Sequence, residues 1–504
     1  MVRGSWGGLA VPHLQISIDR DSSRQLAGQI RDSVKGAIER RRLAPGTRLP
    51  STRQLAADLG VSRSVAVEAY EQLCAEGYLR ARRGAGTVVA DVDTGGGSPV
   101  TSPLIAGADG RPGLLDLRTG ATDVSLFPRR EWLAAVSDAI GNASLRDLGY
   151  APPSGLPQTR QVLAGYLGRV CAVEAAPECV TLTAGFAQGL SLLCQTLLRR
   201  GIRELAVEEP GHPGQRAFIA SLGMTPVSAP VDEHGLRVDA LARTGARAVL
   251  VTPACQFPTG ARMSPERRQA LVAWAREVDG LVIEDDFDGA LAFGQRPPAL
   301  QSLAPERVVY AGSASKTLAP GLRLGWLVVP SAVLPGVEAV RATVDLGLST
   351  IDQLALARFI ENGQLDRHVR ALRAHLRRRQ EAFESALHDH LPPARVANVA
   401  AGLQTYVRLP PGLDEAQMVG AAFRRNVLVW GGAHYRHDAD ATHAPALVVN
   451  HAGTTMSRLV EAAQHLGAAY LDCAADPPAR RERPARPVRA GRARSRAQFL
   501  AHCD

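Results

Sequence analysis

The sequence predicts an α/β protein carrying a small helical module at its N-terminus, and three observations predict it. Between residues 180 and 316 five short apolar runs rich in Val, Leu and Ile alternate with helical periods, and each run ends in polar residues. Between residues 25 and 75 the apolar residues instead recur at helical spacing, interrupted by turn signals. Residues 92–113, which include Gly95-Gly-Gly-Ser-Pro99 and Gly110-Arg-Pro-Gly113, have no apolar period and read as a flexible linker between the two bodies.

At 504 residues, 45% of them hydrophobic, the chain is too long for one ordinary domain and has the composition of a soluble globular protein. No apolar run is long enough to cross a membrane, and Met1 to Pro12 lacks the apolar core of a signal peptide, so the expected location is cytoplasmic with no membrane partner. Seven cysteines, scattered and without a C-x-x-C pair, argue against a disulfide framework and a zinc site; no metal is expected. The net charge of +9 is uneven. Eight arginines against one glutamate lie within residues 480–496, and residues 1–91 carry 14 basic and 9 acidic groups. Basic ends on a near-neutral body suit contact with a polyanion. The Arg-rich tail, residues 473–504, has almost nothing to bury and is expected to be disordered, as added DNA affinity or a solvated extension.

In chain order, Leu26, Ile30, Val34 and Ile38 mark one face of a first helix over residues 25–41. A turn, Leu43 to Pro50, precedes Ser51, which can cap a short helix holding Leu55, Ala56 and Leu59. Gly60 breaks it, and Ser62 stands where a cap for the next helix belongs, with Val65, Ala69, Tyr70 and Leu73 inward. Two short helices joined by a tight break are a helix-turn-helix, and Gly77 to Val89, with its basic glycine-rich centre, reads as a hairpin wing. Residues 13–91 thus form a module whose second short helix offers Ser62, Arg63 and Ser64 to base edges or phosphates. Arg53 and Gly84 would lie along the nucleic-acid backbone. The plainer alternative is a helical cap or dimerisation module with solvated arginines.

In the body, residues 114–472, the strand signals run into Thr183-Ala-Gly-Phe, Glu208-Glu-Pro-Gly-His, Thr252-Pro-Ala-Cys-Gln, Glu284-Asp-Asp-Phe and Ala311-Gly-Ser-Ala-Ser-Lys316. Open α/β sheets bind ligands beyond the carboxyl ends of their strands. Only two of the 58 basic residues are lysines, Lys35 and Lys316. Lysine can lose its proton and condense with an aldehyde, which arginine cannot, so Lys316 reads as a Schiff-base lysine. Its company fits pyridoxal 5'-phosphate. Gly185 and Phe186 open a helix whose free N–H groups suit a phosphate. Ser313, Ser315 and Arg323 add hydroxyls and a fixed charge. Asp285 suits a protonated pyridine nitrogen, and His212 the ring face. Singly, each also has an ordinary structural role.

Leu43-Ala-Pro-Gly-Thr-Arg-Leu-Pro-Ser-Thr-Arg53, Leu59-Gly-Val-Ser-Arg63, Glu68-Ala-Tyr-Glu-Gln-Leu73 and Glu76-Gly-Tyr78 resemble the winged helix-turn-helix of the GntR superfamily. Gln256-Phe-Pro-Thr-Gly260, Glu284-Asp-Asp-Phe-Asp288 and Ser313 through Trp326 resemble the fold-type I, aspartate aminotransferase-like enzymes, whose fold includes a small C-terminal α+β subdomain. Together these resemble the MocR subfamily of bacterial regulators. The resemblance implies a homodimeric transcription regulator binding double-stranded DNA through Arg53, Ser62, Arg63, Ser64 and the Gly84 wing. Its effector would be sensed through pyridoxal 5'-phosphate on Lys316, the effector being the cofactor itself, as in the PdxR-like branch controlling vitamin B6 synthesis, or an amine or amino acid.

Three departures bear on enzymatic competence. Phe287 stands where the family often has a tyrosine that holds the cofactor's phenolic oxygen. Cys255 stands where members commonly have histidine, and is expected to be a packing change with no partner for its thiol. Val448, within Ala446-Leu-Val-Val-Asn-His-Ala-Gly453, stands where aminotransferases place the arginine that grips a substrate carboxylate, leaving Arg436 or Arg458 to compensate. Two further readings stay open: an aminotransferase with an accessory DNA-binding head, and a cofactor-free scaffold.

Overall fold

The computed structural model describes residues 25–39, 43, 46–82, 86–90, 113–120, 122–294, 296–345, 347–397, 403–437 and 443–475. The predicted wing-tip residue Gly84, nearly all of the linker and most of the Arg-rich tail lie outside the described residues. The chain divides into an N-terminal unit and a large unit, with the division near residue 100.

The N-terminal unit has three helices, α1 (Leu26–Glu39), α2 (Thr52–Leu59) and α3 (Arg63–Ala75), then an antiparallel hairpin of β1 (Leu79–Arg82) and β2 (Gly86–Val89). Ile30, Val34, Ala66, Ala69 and Leu73 are fully buried in its core, one helical face each from α1 and α3. Ser51 caps α2, its hydroxyl accepting from Gln54 N at 3.2 Å. Gly60 ends α2 at φ 62°, a left-handed turn that a side chain would strain. Ser62 departs from expectation. It occupies the N-cap position of α3 but makes no capping bond, and its hydroxyl pairs with Ser64 Oγ at 2.8 Å.

The large unit is built on eight strands: β3 (Val180–Thr183), β4 (Glu204–Glu209), β5 (Thr225–Asp232), β6 (Gly235–Leu236), β7 (Ala248–Val251), β8 (Leu281–Asp285), β9 (Val308–Ser313) and β10 (Gly325–Val328). Their order is β3-β10-β9-β8-β7-β4-β5-β6. The inner pairs are parallel, and β10 runs antiparallel to both its neighbours. Strands β3, β7 and β8 are buried along their whole length, as a sheet covered on both faces demands. Two clusters split the covering: Leu190, Leu193 and Leu197 of α4 (Phe186–Arg199) pack on one side, and Leu271, Val272 and Trp274 on the other.

A smaller antiparallel sheet follows, β11 (Arg395–Ala397), β12 (Gln404–Arg408), β13 (Trp430–Gly431) and β14 (Ala446–Asn450), in the order β11-β12-β14-β13. Helices α6 (Gln364–His390) and α7 (Met456–Ala475) close its core, with α5 (Pro213–Ser221) belonging to the main sheet's layer. This is the expected α+β subdomain. Helix α7 runs three residues past 472, the expected end of the body, because Cys473 is buried in that core. Among the described residues no helix is long and apolar enough to cross a membrane.

Candidate functional site

The carboxyl ends of β4, β8 and β9 open on one cavity of about 610 Å³. Seven of the residues singled out in the sequence line it: Phe186, His212, Asp285, Ser313, Ser315, Lys316 and Arg323. Gly185 adjoins it at the N-cap of α4. The small subdomain contributes Gln404 and Asn450, and the start of the unit contributes Thr119 and Gly120.

Lys316 Nζ donates to the Gly120 carbonyl at 2.9 Å. Burial lowers its pKa, against the opposing fields of Asp288 and Asp285. Asp285 is buried at the end of β8, and its Oδ2 accepts from Gln215 Nε2 at 3.3 Å. Burial and the charge of Asp286 push Asp285 up to about 8. His212 Nδ1 accepts from Gln215 N, capping α5, and its ring stacks on Phe257 with centroids 5.4 Å apart. Burial lowers His212 to about 4, so the ring is a neutral plate at neutral pH.

Gly185 has φ 82°, and a Cβ there would stand 2.8 Å from the Arg323 guanidinium. The absent side chain lets Arg323 reach the Ala184 carbonyl across the start of α4. The free N–H groups of the first turn of α4, two serine hydroxyls and this guanidinium form a cradle with the donor set of a phosphate site. An aldehyde-reactive amine, a buried carboxylate and a flat neutral ring share the cavity with it. These residues fit a phosphorylated pyridine aldehyde.

Several cavity residues were not singled out in advance. Glu208 at the end of β4 is buried. Its Oε2 accepts from Thr252 Oγ1 at 2.6 Å and Thr252 N at 3.2 Å, whereas Oε1 has no partner among the described residues. Its neighbour Glu209 instead pairs with Arg216. Gln404 Nε2 is likewise buried and unpaired, and only the long-range pairing of β12 with β14 brings it to the site. Outside the lining, Asp288 and Cys255 are both buried, and burial, reinforced by the charge of Asp288, holds the Cys255 thiol well above its usual range.

Phe287 lines the cavity and gives it no donor. Val448 is fully buried beside Tyr406 and Tyr435. Arg436 and Arg458 are not among the described cavity residues, and Arg458 donates to the Leu114 carbonyl. Arg216 and Arg323 are the arginines on the described lining, and Arg216 is committed to Glu209, the Glu208 carbonyl and Ser228.

In the N-terminal unit, Arg53 at the start of α2 and Ser62, Arg63 and Ser64 at the start of α3 are all exposed. Among the described residues neither arginine has an ion pair.

The chain matches the family model for aminotransferase class I and II over residues 113–466 and that for bacterial regulatory proteins of the gntR family over residues 26–89. It is 33% identical to the HTH-type pyridoxine biosynthesis transcriptional regulator PdxR of Corynebacterium glutamicum, across 83% of this chain and 92% of that one. It is 32% identical to the probable rhizopine catabolism regulatory protein MocR of Rhizobium meliloti, across 80% and 86%. The chain belongs to the MocR-type GntR regulators. In this MocR-type chain the N-terminal unit is a GntR helix-turn-helix domain, and the large unit has the fold-type I aminotransferase fold. Similar solved structures include an archaeal alanine:glyoxylate aminotransferase, 25% identical with TM-score 0.64 over 71% of this chain and 91% of that one. Another is LysN, an α-aminoadipate aminotransferase of Thermus thermophilus complexed with N-(5'-phosphopyridoxyl)-L-leucine, 25% identical with TM-score 0.63 over 72% and 94%.

Proposed function

We propose that this MocR-type regulator is a homodimeric transcription factor whose large unit senses pyridoxal 5'-phosphate, or an amine presented to it, through Lys316. The observation that carries the reading is the meeting of Lys316, Asp285 and the Gly185–Arg323 cradle in one cavity, in a chain that also carries a GntR head. The bound group supplies an electrophilic aldehyde carbon and a ring that accepts electrons. The N–H groups at the start of α4, with Ser313, Ser315 and Arg323, bind and orient the phosphate. Asp285, kept dry at the end of β8, holds a proton at the ring nitrogen, and His212 stacks as a neutral plate. Burial favours the neutral amine of Lys316, the form that attacks a carbonyl.

The cavity's described arginines are already committed, so an α-amino acid finds no carboxylate anchor there. That favours the cofactor itself as effector and control of vitamin B6 supply as the biological setting, in line with the PdxR relative. Occupancy of Lys316 alters promoter affinity only if the two conformations of the dimer bind the effector unequally. The test is the visible absorption of protein mixed with pyridoxal 5'-phosphate. A lysine-bound chromophore that borohydride traps, and that Lys316→Ala abolishes, supports the reading; a wild-type protein without it refutes the reading. Turnover of an amino acid at ordinary enzymatic rates would instead favour an aminotransferase with a DNA-binding head.

A further inference from the structure

A dense run of basic residues lies outside the cavity, on helix α6. From Arg367 to Gln380 the chain carries six arginines and two histidines and no carboxylate. The fold sorts these arginines into two sets. Arg379 is buried and pairs with Asp123, and Arg373 donates to the Ala290 carbonyl, so both serve the packing of α6. Arg367, Arg370, Arg377 and Arg378 are exposed. On a helix of about 3.6 residues per turn, these four fall within about 100° of arc and about 16 Å of length, around the exposed Ala374. Leu365, Val369, Leu372 and Leu376 take the opposite face into the core, so the arginine face points outward.

Surface arginines elsewhere on this unit find carboxylates. Arg237 and Arg243 share Asp239, Arg247 pairs with Asp279, and Arg425 with Asp472. On the outward face of α6, among the described residues, only Arg377 does so, with Glu381. Arg367 and Arg378 donate to the Asn362 and Ala374 carbonyls, and Arg370 has no ion pair or hydrogen bond among the described residues. Asp366, just before the run, is taken by Arg169. Like charges one turn apart repel along a helix, and Glu381 offsets only one of the four.

A strip of fixed positive charge on a near-neutral body suits a regular polyanion. Each strand of duplex DNA carries a phosphate about every 3.4 Å, so about 16 Å of helix spans about five phosphates. Arginine fits them because its planar guanidinium meets phosphate oxygens as a fork. The GntR domain already brings DNA to this molecule. We propose that the exposed arginine face of α6 is a second DNA contact, on the aminotransferase-like unit, holding the phosphate backbone of duplex that flanks the sequence read by the GntR head. The contact adds affinity and salt sensitivity without reading bases. It does not depend on the Lys316 reading.

The test measures DNA affinity of the full-length protein against salt concentration on two duplexes. One is trimmed to the base pairs whose substitution changes affinity, and the other is extended at both ends. Combining Arg367→Gln, Arg370→Gln and Arg378→Gln is expected to leave binding to the trimmed duplex unchanged. On the extended duplex it is expected to reduce the slope of log affinity against log salt by about 2 to 3, about 0.9 for each lost phosphate contact. Lysine at the same three positions keeps the charge and is expected to keep the wild-type slope. Ala374→Arg, in the middle of the face, is expected to raise the slope by about 1, and it carries the test should the glutamine variant fail to fold. Equal slopes for wild type and the glutamine variant on the extended duplex, or equal losses on both duplexes, overturn the proposal while DNA binding by the GntR head stands. An unchanged slope in Ala374→Arg overturns it as well.

Discussion

Lys316 and Asp285 set the chemistry of the cavity, and burial acts on them in the same direction, towards neutrality. The lysine is shifted down and the aspartic acid up to about 8, so each meets a ligand in its uncharged form more often than in water. Imine formation with a small aldehyde is therefore expected at a lower pH than for an ordinary lysine, which a pH series of borohydride trapping checks. Asp285→Ala is expected to weaken binding of pyridoxal 5'-phosphate about tenfold, measured by titrating the visible band. Lys316, Asp285 and His212 were legible in the sequence because each ends or follows a readable strand and carries a side chain with few substitutes. Glu208 was not. It stands next to Glu209 with the same chemistry, and only the folded strand determines that Glu208 faces the cavity while Glu209 pairs with Arg216. Gln404 escaped for another reason: a glutamine in a short strand carries no signal until β12 pairs with β14.

At the scale of elements, the cradle depends on the left-handed glycine before α4. Gly185→Val places a branched side chain at φ 82° and against Arg323, so affinity for pyridoxal 5'-phosphate is expected to fall at least tenfold, with a drop in melting temperature. On the GntR head, the start of α3 presents Arg63 exposed and, among the described residues, without an ion pair. Arg63→Ala is expected to weaken DNA binding and, if the contact is to a phosphate, to reduce the slope of log affinity against log salt by about 1. The helical and strand periods placed these elements well because each buries one face or one whole strand. Finer features, such as the hydroxyl pair Ser62–Ser64 replacing a cap, depend on side-chain rotamers that no period encodes. The influence of Asp288 on Cys255 was invisible for a related reason, since the two are 33 positions apart in the chain and approach only when the loops after β7 and β8 converge.

For the whole molecule, the buried acids couple stability to pH. Glu208 and Glu284 are pushed up to about 7 and Asp285 to about 8, above their unfolded values near 4. At these three groups the folded state thus holds more protons than the unfolded one. The stability these groups contribute is fully present below about pH 4 and is lost as the pH rises through about 7 to 8. The melting temperature of ligand-free protein is expected to fall from pH 6 to pH 8.5 at constant ionic strength, and Glu208→Gln to flatten that decline. The proposed function requires coupling between Lys316 and DNA, and such coupling is typically worth about 5- to 150-fold in affinity. It is tested most directly by titrating a duplex from the gene's own upstream region with wild type and Lys316→Ala, with and without pyridoxal 5'-phosphate. A change of at least about fivefold is expected in wild type and none in the variant. Equal affinities for wild type, at a cofactor concentration where its visible band shows full occupancy, would contradict it.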